Sequence, residues 1–307
     1  MDTFAQARAA FDRHIAKFRD ASGTLPFALE AKFNHTGEVC EITEKIVAGE
    51  AHFSPHDALI FRLCALFHDI SRFEQYDKFK TFLDRQSFDH GDRSAALIDE
   101  LGLVPELTSE DRACVIDAVR VHNKFAIPPD FPPAHLAAAK MVRDADKLAI
   151  LRLIIRFFHG DCSDPAIRLD LPDTPGWSPS ILETALSGKC VVYTDMKNIN
   201  DFKLGLFAWS CDINYPASAA LALDEDLFGR VRALLPESDR IDKLLESGCI
   251  GRDSYIGGGE IVWQLVLHQH ECIRNCLMMV NRQIQCHQTV TTSHTSEGSI
   301  VSAGCLT

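Results

Sequence analysis

Hydrophobic residues recur every three or four positions along most of the chain, the spacing that places them on one face of an α-helix. The first such segment covers residues 3–20. The second runs to residue 67, where Ser54 is a typical N-cap and Pro55 suits the first helical position. Because few segments show the alternation of a strand, the pattern predicts an all-α fold.

The same reasoning predicts the helices that follow. Either Ser87 or Asp89 caps the next helix, and Gly102 ends it. A run of prolines in residues 127–133 cannot lie inside a helix, so it predicts a loop. Helices are expected on both sides of that loop, at residues 108–123 and 134–158.

A segment rich in glycine, aspartate and proline at residues 160–180 is the place where the chain could divide. We therefore expect a helical domain in residues 1–160 and a helical C-terminal region, packed on it, in residues 161–286. Residues 287–307, rich in threonine, serine and glycine, are expected to form a flexible tail.

Histidine and aspartate residues stand at the edges of several predicted helices. His35 lies in FNHTGEV, His68 and Asp69 in ALFHDISRFEQY, and Asp146 in RDADKL. Two more histidines occupy similar places between them, His90 in SFDHGDR and His122 in RVHNK. One helix cannot surround an ion, so ligands that converge from several helices suit a metal site. Mixed nitrogen and oxygen ligands suit Mn, Fe, Co, Ni or Zn without selecting among them.

Charge narrows the class of partner. The 43 acidic and 31 basic residues give a formal net charge of −12. This balance argues against a nucleic-acid polymer or an anionic membrane as the partner, because both require a basic face. A small phosphorylated substrate needs only a few local cations and remains compatible with the charge.

Cysteine usage and hydropathy bear on the compartment. The eleven cysteines are scattered, their number is odd and no CxxC pair occurs. The N-terminus lacks the apolar core of a secretory signal, and no run of 18 apolar residues could span a membrane. We therefore expect a reducing, cytoplasmic location, with most cysteines acting as small buried hydrophobic residues.

The order of these motifs resembles the H…HD…D signature of the HD-domain superfamily of metal-dependent phosphohydrolases, with its helical-bundle fold. His90 and His122 resemble the two extra histidines of a subgroup that can bind a second metal. The strings HDISRFEQY, FDHGDRSA, VHNK and RDADKL carry the likeness over residues 30–155, and DMKNINDFKLGLFAWSCDINYPAS extends it more weakly.

The resemblance implies a metal ligand set and an activity. The implied ligands are His35, His68, Asp69, His90, His122 and Asp146, holding one or two divalent ions. The metal would lower the pKa of a water molecule and polarise a phosphoryl oxygen. The expected reaction is hydrolysis of a phosphomonoester or phosphodiester in a small molecule, and family precedent favours a nucleotide.

Basic residues beside the motifs are the candidate phosphate contacts. Arg72 and Lys147 are the first choices, with roles in catalysis and phosphate binding, and Lys124 is a further candidate. Glu74 and Asp92 are further candidates, either as general acid–base residues or as residues that orient the metal ligands.

Either Asp144 or Asp146 could close the ligand set. Two residues apart on a helix, they point about 200° away from each other and cannot both face one ion. The resemblance favours Asp146, because the family's ligand commonly precedes a basic residue, here Lys147. Asp144 is then expected to be structural.

Two other functions use the same residues. Some HD-domain proteins are di-iron oxygenases, which an iron-dependent oxygen-uptake assay would detect. A nucleotide-sensing module without catalysis would bind nucleotides and not turn them over. The complete set of metal ligands argues against this alternative, because a sensor need not keep all of them. The sequence is also compatible with a homo-oligomer.

Other metal-like features favour a structural interpretation. His268 and His270 with Cys272 and Cys276 lack a further ligand pair at zinc spacing. The glycines of residues 257–259 lack the Lys-Ser/Thr of a phosphate-binding loop and predict a turn. His52 and His56 are expected at the surface, and the aromatic residues of segment 202–209 in the core.

Overall fold

The computed structural model describes residues 2–160 and 171–246, with side chains as far as residue 242. All regular structure in these ranges is helical, which confirms the predicted all-α fold. The α-helices are α1 Thr3–Ile15, α2 Phe27–Gly49, α3 Pro55–Phe67, α4 Ser71–Phe79, α5 His90–Glu100, α6 Ser109–Val121, α7 Leu136–His159, α8 Pro179–Leu186, α9 Ile199–Ala208, α10 Pro216–Asp224, α11 Leu227–Ala233 and α12 Asp239–Glu246.

Local capping fixes the start of α3 and therefore the place where it ends. The Ser54 hydroxyl accepts a hydrogen bond from the backbone N–H of Asp57, while the Asp57 carboxylate accepts one from the backbone N–H of Ser54. This reciprocal capping box satisfies two backbone donors at the helix start. Thirteen residues later the helix ends at Phe67, so that His68 stands as its C-cap.

Asp89 begins α5 in a similar way. Its carboxylate accepts a hydrogen bond from the backbone N–H of Asp92, which selects Asp89 over Ser87 as the cap. His90 is consequently the first residue of the helix. The helix ends before Gly102, whose φ of +56° lies in the left-handed region that glycine adopts without strain.

The core lies where α2, α3, α6 and α7 pack against one another. Leu63, Leu66 and Phe67 on α3 are completely buried. Most of α7 is also buried, because neighbouring helices cover it on several sides. These two helices are therefore rigid supports for any side chains that they carry.

The described part of the C-terminal region is helical as well. Helices α10 and α11 pack on α7, and α9 packs on α8 and α11. Phe202 and Phe207 are buried, as expected of segment 202–209. The division of the chain at residue 160 stays a prediction, and the tail expected at residues 287–307 lies outside the described residues.

The described ranges also bear on the expectations about membrane-spanning helices and about the cysteines. No helix there combines the length and the apolar character needed to cross a membrane. The cysteines there, Cys40, Cys64, Cys114, Cys190 and Cys211, form no disulfide with one another, and Cys64 is fully buried.

Candidate metal centre

Four predicted ligands converge on one point from three helices. His35 lies on α2, His68 and Asp69 directly follow α3, and Asp146 lies on α7. His35 Nε2 is 2.9 Å from Asp146 Oδ1, and His68 Nε2 is 3.7 Å from the same oxygen. Asp69 Oδ2 is 3.9 Å from His35 Nε2 and 3.6 Å from His68 Nε2. We call these atoms the first cluster.

The other oxygen of Asp69 belongs to a second cluster. Asp69 Oδ1 is 3.6 Å from His90 Nε2 and 3.8 Å from His122 Nε2. His90 begins α5 and His122 caps the end of α6, so two more helix ends meet at Asp69. The His122 ring centroid lies 5.2 Å from that of His68 and 5.0 Å from that of His90. The two clusters are therefore adjacent and share one carboxylate.

The spacing of the donor atoms suits metal ions. His35, His68 and Asp146 form one group that could hold an ion, and Asp69, His90 and His122 form another. Two donors that each lie about 2.1 Å from a common ion are roughly 3.0–3.4 Å apart at tetrahedral or octahedral angles. The separations in both clusters are close to this range.

Backbone contacts orient two of the histidines for ligation. His68 Nδ1 lies 2.8 Å from the carbonyl of Ala65, and His122 Nδ1 lies 2.7 Å from that of Val119. A carbonyl only accepts, so both Nδ1 atoms carry the proton and donate it. Each Nε2 then holds a lone pair, and both Nε2 atoms are buried without a hydrogen-bond partner. An unpartnered buried acceptor is costly, and a metal ion would satisfy it.

A carboxylate orients His90 in the same manner. His90 Nδ1 donates to Asp84 Oδ2 over 2.6 Å, so its Nε2 is the acceptor. Burial and the charge of Arg72 lower the pKa of His90 to about 4. Burial likewise lowers the pKa of His68 to about 4. Both rings are therefore neutral near pH 7, as metal ligation requires.

Two cations stabilise the shared carboxylate. Burial acts to raise the pKa of Asp69, but Lys32, His68 and Arg72 outweigh it and hold the pKa well below its usual value. Lys32 Nζ lies 2.8 Å from Asp69 Oδ2, and Arg72 Nε lies 3.3 Å from Asp69 Oδ1. Each oxygen of Asp69 thus has its own cation.

The structure separates the two candidate carboxylates of α7. Asp146 reaches His35, whereas Asp144 accepts hydrogen bonds from the backbone N–H groups of Asn214 and Tyr215 at 2.9 and 3.0 Å. Asp144 also accepts from the Asn214 side-chain amide at 2.8 Å. It therefore joins α7 to the segment before α10 and does not face the clusters.

The other predicted phosphate contacts are held elsewhere. Lys147 Nζ donates to both the backbone carbonyl and the carboxylate of Asp212. Lys124 Nζ lies 2.6 Å from Asp89 Oδ2 and 3.2 Å from Asp92 Oδ2. Of the basic residues chosen from the sequence, the structure brings Arg72 to the shared carboxylate.

The weaker acid–base candidates are also occupied. Glu74 bonds to Lys78 and Arg93, and Asp92 pairs with Lys124.

Arg143, adjacent to Asp144, donates to the backbone carbonyls of Val121, His122 and Lys124 and thereby fixes the end of α6 that carries His122.

Sequence reasoning missed three residues at the site. Lys32 lies one turn before His35 on α2, so the helical period carried a signal for it. Asp84 begins a short 3-10 helix, Asp84–Gln86, between α4 and α5 and gave no signal. Tyr193 follows α8 and exposes 46% of its surface, yet desolvation and the nearby charge of Asp146 raise the pKa of its hydroxyl. Tyr193 is therefore within electrostatic range of Asp146.

The histidines and cysteines that the sequence did not assign to the metal site fall into two groups. His52 and His56 are exposed, as predicted, and pair with Glu50 and Asp111. His268, His270, Cys272, Cys276 and the glycines of residues 257–259 lie outside the described residues.

Comparison with known proteins agrees with this geometry. Residues 33–151 match the family model described as the HD domain. No curated protein and no solved structure gives a significant match to the chain. The matched residues include the predicted ligands of both clusters, and HD domains bind divalent metals. Residues 33–151 therefore form an HD domain, the all-α domain of a superfamily of metal-dependent hydrolases.

Proposed function

We propose that this protein is a metal-dependent phosphohydrolase acting on a small phosphorylated molecule. The observation that carries the proposal is the pair of adjacent clusters that share Asp69, one on each carboxylate oxygen. A carboxylate between two ion sites is an arrangement that phosphate-ester hydrolases use to hold two ions a few ångströms apart.

The proposed ligands divide between the clusters. His35, His68, Asp69 and Asp146 hold the first ion, and Asp69, His90 and His122 contribute to the second. The unpartnered Nε2 atoms of His68 and His122 support this division. Bound there, Mn, Fe, Co, Ni or Zn would polarise a phosphoryl oxygen and lower the pKa of a water molecule.

Two cations near the metal ligands favour a phosphorylated substrate. Lys32 and Arg72 approach the shared carboxylate from opposite oxygens, so positive charge stands on both sides of the proposed metal centre. A guanidinium can hold phosphoryl oxygens in bidentate fashion, and an ammonium group acts as a point charge. We assign phosphate contact to these two residues. Lys124 and Lys147, which bind carboxylates elsewhere, are positioning residues in this proposal.

A small molecule fits better than a polymer. The formal net charge of −12 opposes binding of a long polyanion, whereas two local cations suffice for one phosphate group. A nucleotide is the leading class within that description, because the resemblance to HD-domain phosphohydrolases favours it. Tyr193, half-exposed and within electrostatic range of Asp146, is the proposed contact for the organic part of such a substrate.

Metal analysis and a substrate screen test the proposal together. The protein is stripped of metal, reloaded separately with Mn²⁺, Fe²⁺, Co²⁺, Ni²⁺ or Zn²⁺, and assayed for phosphate release from phosphorylated metabolites. Asp69→Ala removes the shared ligand and should abolish both metal retention and turnover. His56→Ala is the matched control, because His56 is an exposed histidine that pairs with Asp111.

The result also decides between reaction types. Phosphate release that requires metal and is lost in Asp69→Ala supports the proposal. Oxygen uptake by the iron-loaded protein without phosphate release would identify an oxygenase instead. Tight nucleotide binding without turnover in every metal-loaded form would identify a sensor. Full metal occupancy in Asp69→Ala would overturn the site assignment itself.

A further inference from the structure

The guanidinium of Arg72 is fixed from several directions. Nη1 donates to the carbonyl of Phe82 and to Gln75 Oε1, both over 2.7 Å, and lies 3.1 Å from Asp84 Oδ1. Nε lies 3.3 Å from Asp69 Oδ1. The side chain is 12% exposed, so it has little freedom to move while these bonds persist.

The remaining nitrogen of this guanidinium faces a proposed metal ligand. Arg72 Nη2 lies 3.2 Å from His90 Nε2. A guanidinium can only donate, so His90 Nε2 accepts through its lone pair. The opposite ring nitrogen donates to Asp84, and the two contacts require the same tautomer. The lone pair that His90 would offer to a metal ion is therefore bonded to Arg72.

The first cluster is arranged differently. His68 Nε2 has no hydrogen-bond partner, so its lone pair is available. His35 Nε2 contacts Asp146 Oδ1, the oxygen of another proposed ligand, at 2.9 Å, and no guanidinium of the described residues bonds to either histidine. The nearby cation, Lys32, bonds to Asp69 Oδ2 at 2.8 Å and belongs to a flexible side chain. In each cluster a cation bonds to one oxygen of Asp69. In the second cluster the cation, Arg72, also donates a hydrogen bond to the ligand nitrogen of His90.

We propose that Arg72 competes with the metal ion at the second cluster. An ion at the first cluster displaces no guanidinium, whereas an ion at the second cluster must displace Arg72 Nη2 from His90. The second ion therefore binds more weakly than the first and is the exchangeable one. The displaced Nη2 then has its donors free for an anionic group such as a phosphate. This inference rests on the proposed metal assignment.

A titration with Co²⁺ alone tests the competition. Equilibrium dialysis of the metal-stripped protein should show two binding steps, and visible absorption of the bound Co²⁺ follows each. Arg72→Met removes the competing cation, and Arg72→Lys keeps the charge but cannot reach Asp69 and His90 together. In both variants the second step should tighten about tenfold or more, and the first should change little.

Lys32→Ala is the matched control, because it removes the same charge from the other oxygen of Asp69. It should tighten the first step and leave the second nearly unchanged. The competition is refuted if Lys32→Ala tightens the second step as much as Arg72→Met, or if Arg72→Lys keeps the wild-type second step. If Arg72→Met lowers the melting temperature of the metal-free protein, Arg72→Lys decides.

Failure of the inference is distinguishable from failure of the proposed function. Two equally tight steps in the wild type, unaffected by either Arg72 variant and lost in Asp69→Ala, would leave the metal centre intact and remove the competition. Absence of Co²⁺ binding in the wild type, or binding that survives in Asp69→Ala, would remove the metal centre itself.

Discussion

Asp144 and Asp146 stand two residues apart on α7, and we expect their removal to have opposite consequences. Asp144→Ala should destabilise the fold and leave metal binding intact. Asp146→Ala should abolish binding at the first cluster and have a smaller effect on the fold. The expectation follows from where each carboxylate points: Asp146 reaches His35, and Asp144 reaches Asn214 and Tyr215.

The expected loss of unfolding free energy in Asp144→Ala follows from the N–H donors that would lose their acceptor. Three N–H groups, two of Asn214 and one from the Tyr215 backbone, would lose their acceptor. Each buried donor left unsatisfied costs about 1–3 kcal/mol. Removal of the charge offsets part of this cost, because burial raises the pKa of Asp144 and so disfavours its charged form. We expect a net loss of about 3 kcal/mol.

Thermal unfolding of the metal-stripped proteins measures this loss. A loss of about 3 kcal/mol corresponds to a fall in Tm of roughly 6–12 °C for a domain of this size. The fall for Asp146→Ala should be less than half as large. Metal content per folded protein, measured on the same samples, should stay at the wild-type level in Asp144→Ala and drop in Asp146→Ala. An Asp144→Ala protein with wild-type Tm and no metal would refute the reasoning.

Two further substitutions and one chemical modification test other parts of the molecule. Asp84→Asn should weaken binding of the second ion by roughly 10–100-fold in a metal titration, since Asp84 orients His90. Gly91→Ala should lower unfolding free energy by about 1–3 kcal/mol in a denaturant titration, because its Cβ would lie 2.7 Å from the Arg120 carbonyl. The buried thiol of Cys64, whose pKa burial raises far above its usual value, should resist a thiol reagent until denaturant is added.

The helices could be predicted because their signals are local. Ser54, Pro55 and Asp57 form the start of α3 within four residues, and the structure has the predicted cap. The choice between Ser87 and Asp89 needed the structure, because both residue types are good caps and only the bonding at α5 separates them. For α5, local chemistry therefore predicted the presence of the helix better than its first residue.

The convergence of the ligands was a different kind of prediction. No local signal brings His35 to Asp146, which lies 111 positions later in the chain. The order of the motifs predicted the meeting through family resemblance, and the packing of α2, α3 and α7 accounts for it physically. The division of the donors into two clusters around one carboxylate depends on side-chain geometry that the sequence does not encode locally.

Lys147 and Lys32 show why the cations were harder to choose. Lys147 was selected because the resemblance places a basic residue directly after Asp146, but successive helical residues point about 100° apart. Its amine therefore reaches Asp212 on another segment, 65 positions later. Lys32 precedes His35 by three residues, a spacing that keeps both on one face of α2. Arg72 stands at the same spacing from Asp69 and also reaches it. Arg72 was already a candidate from the sequence, and helical period, unlike adjacency in the sequence, is the criterion that would have added Lys32.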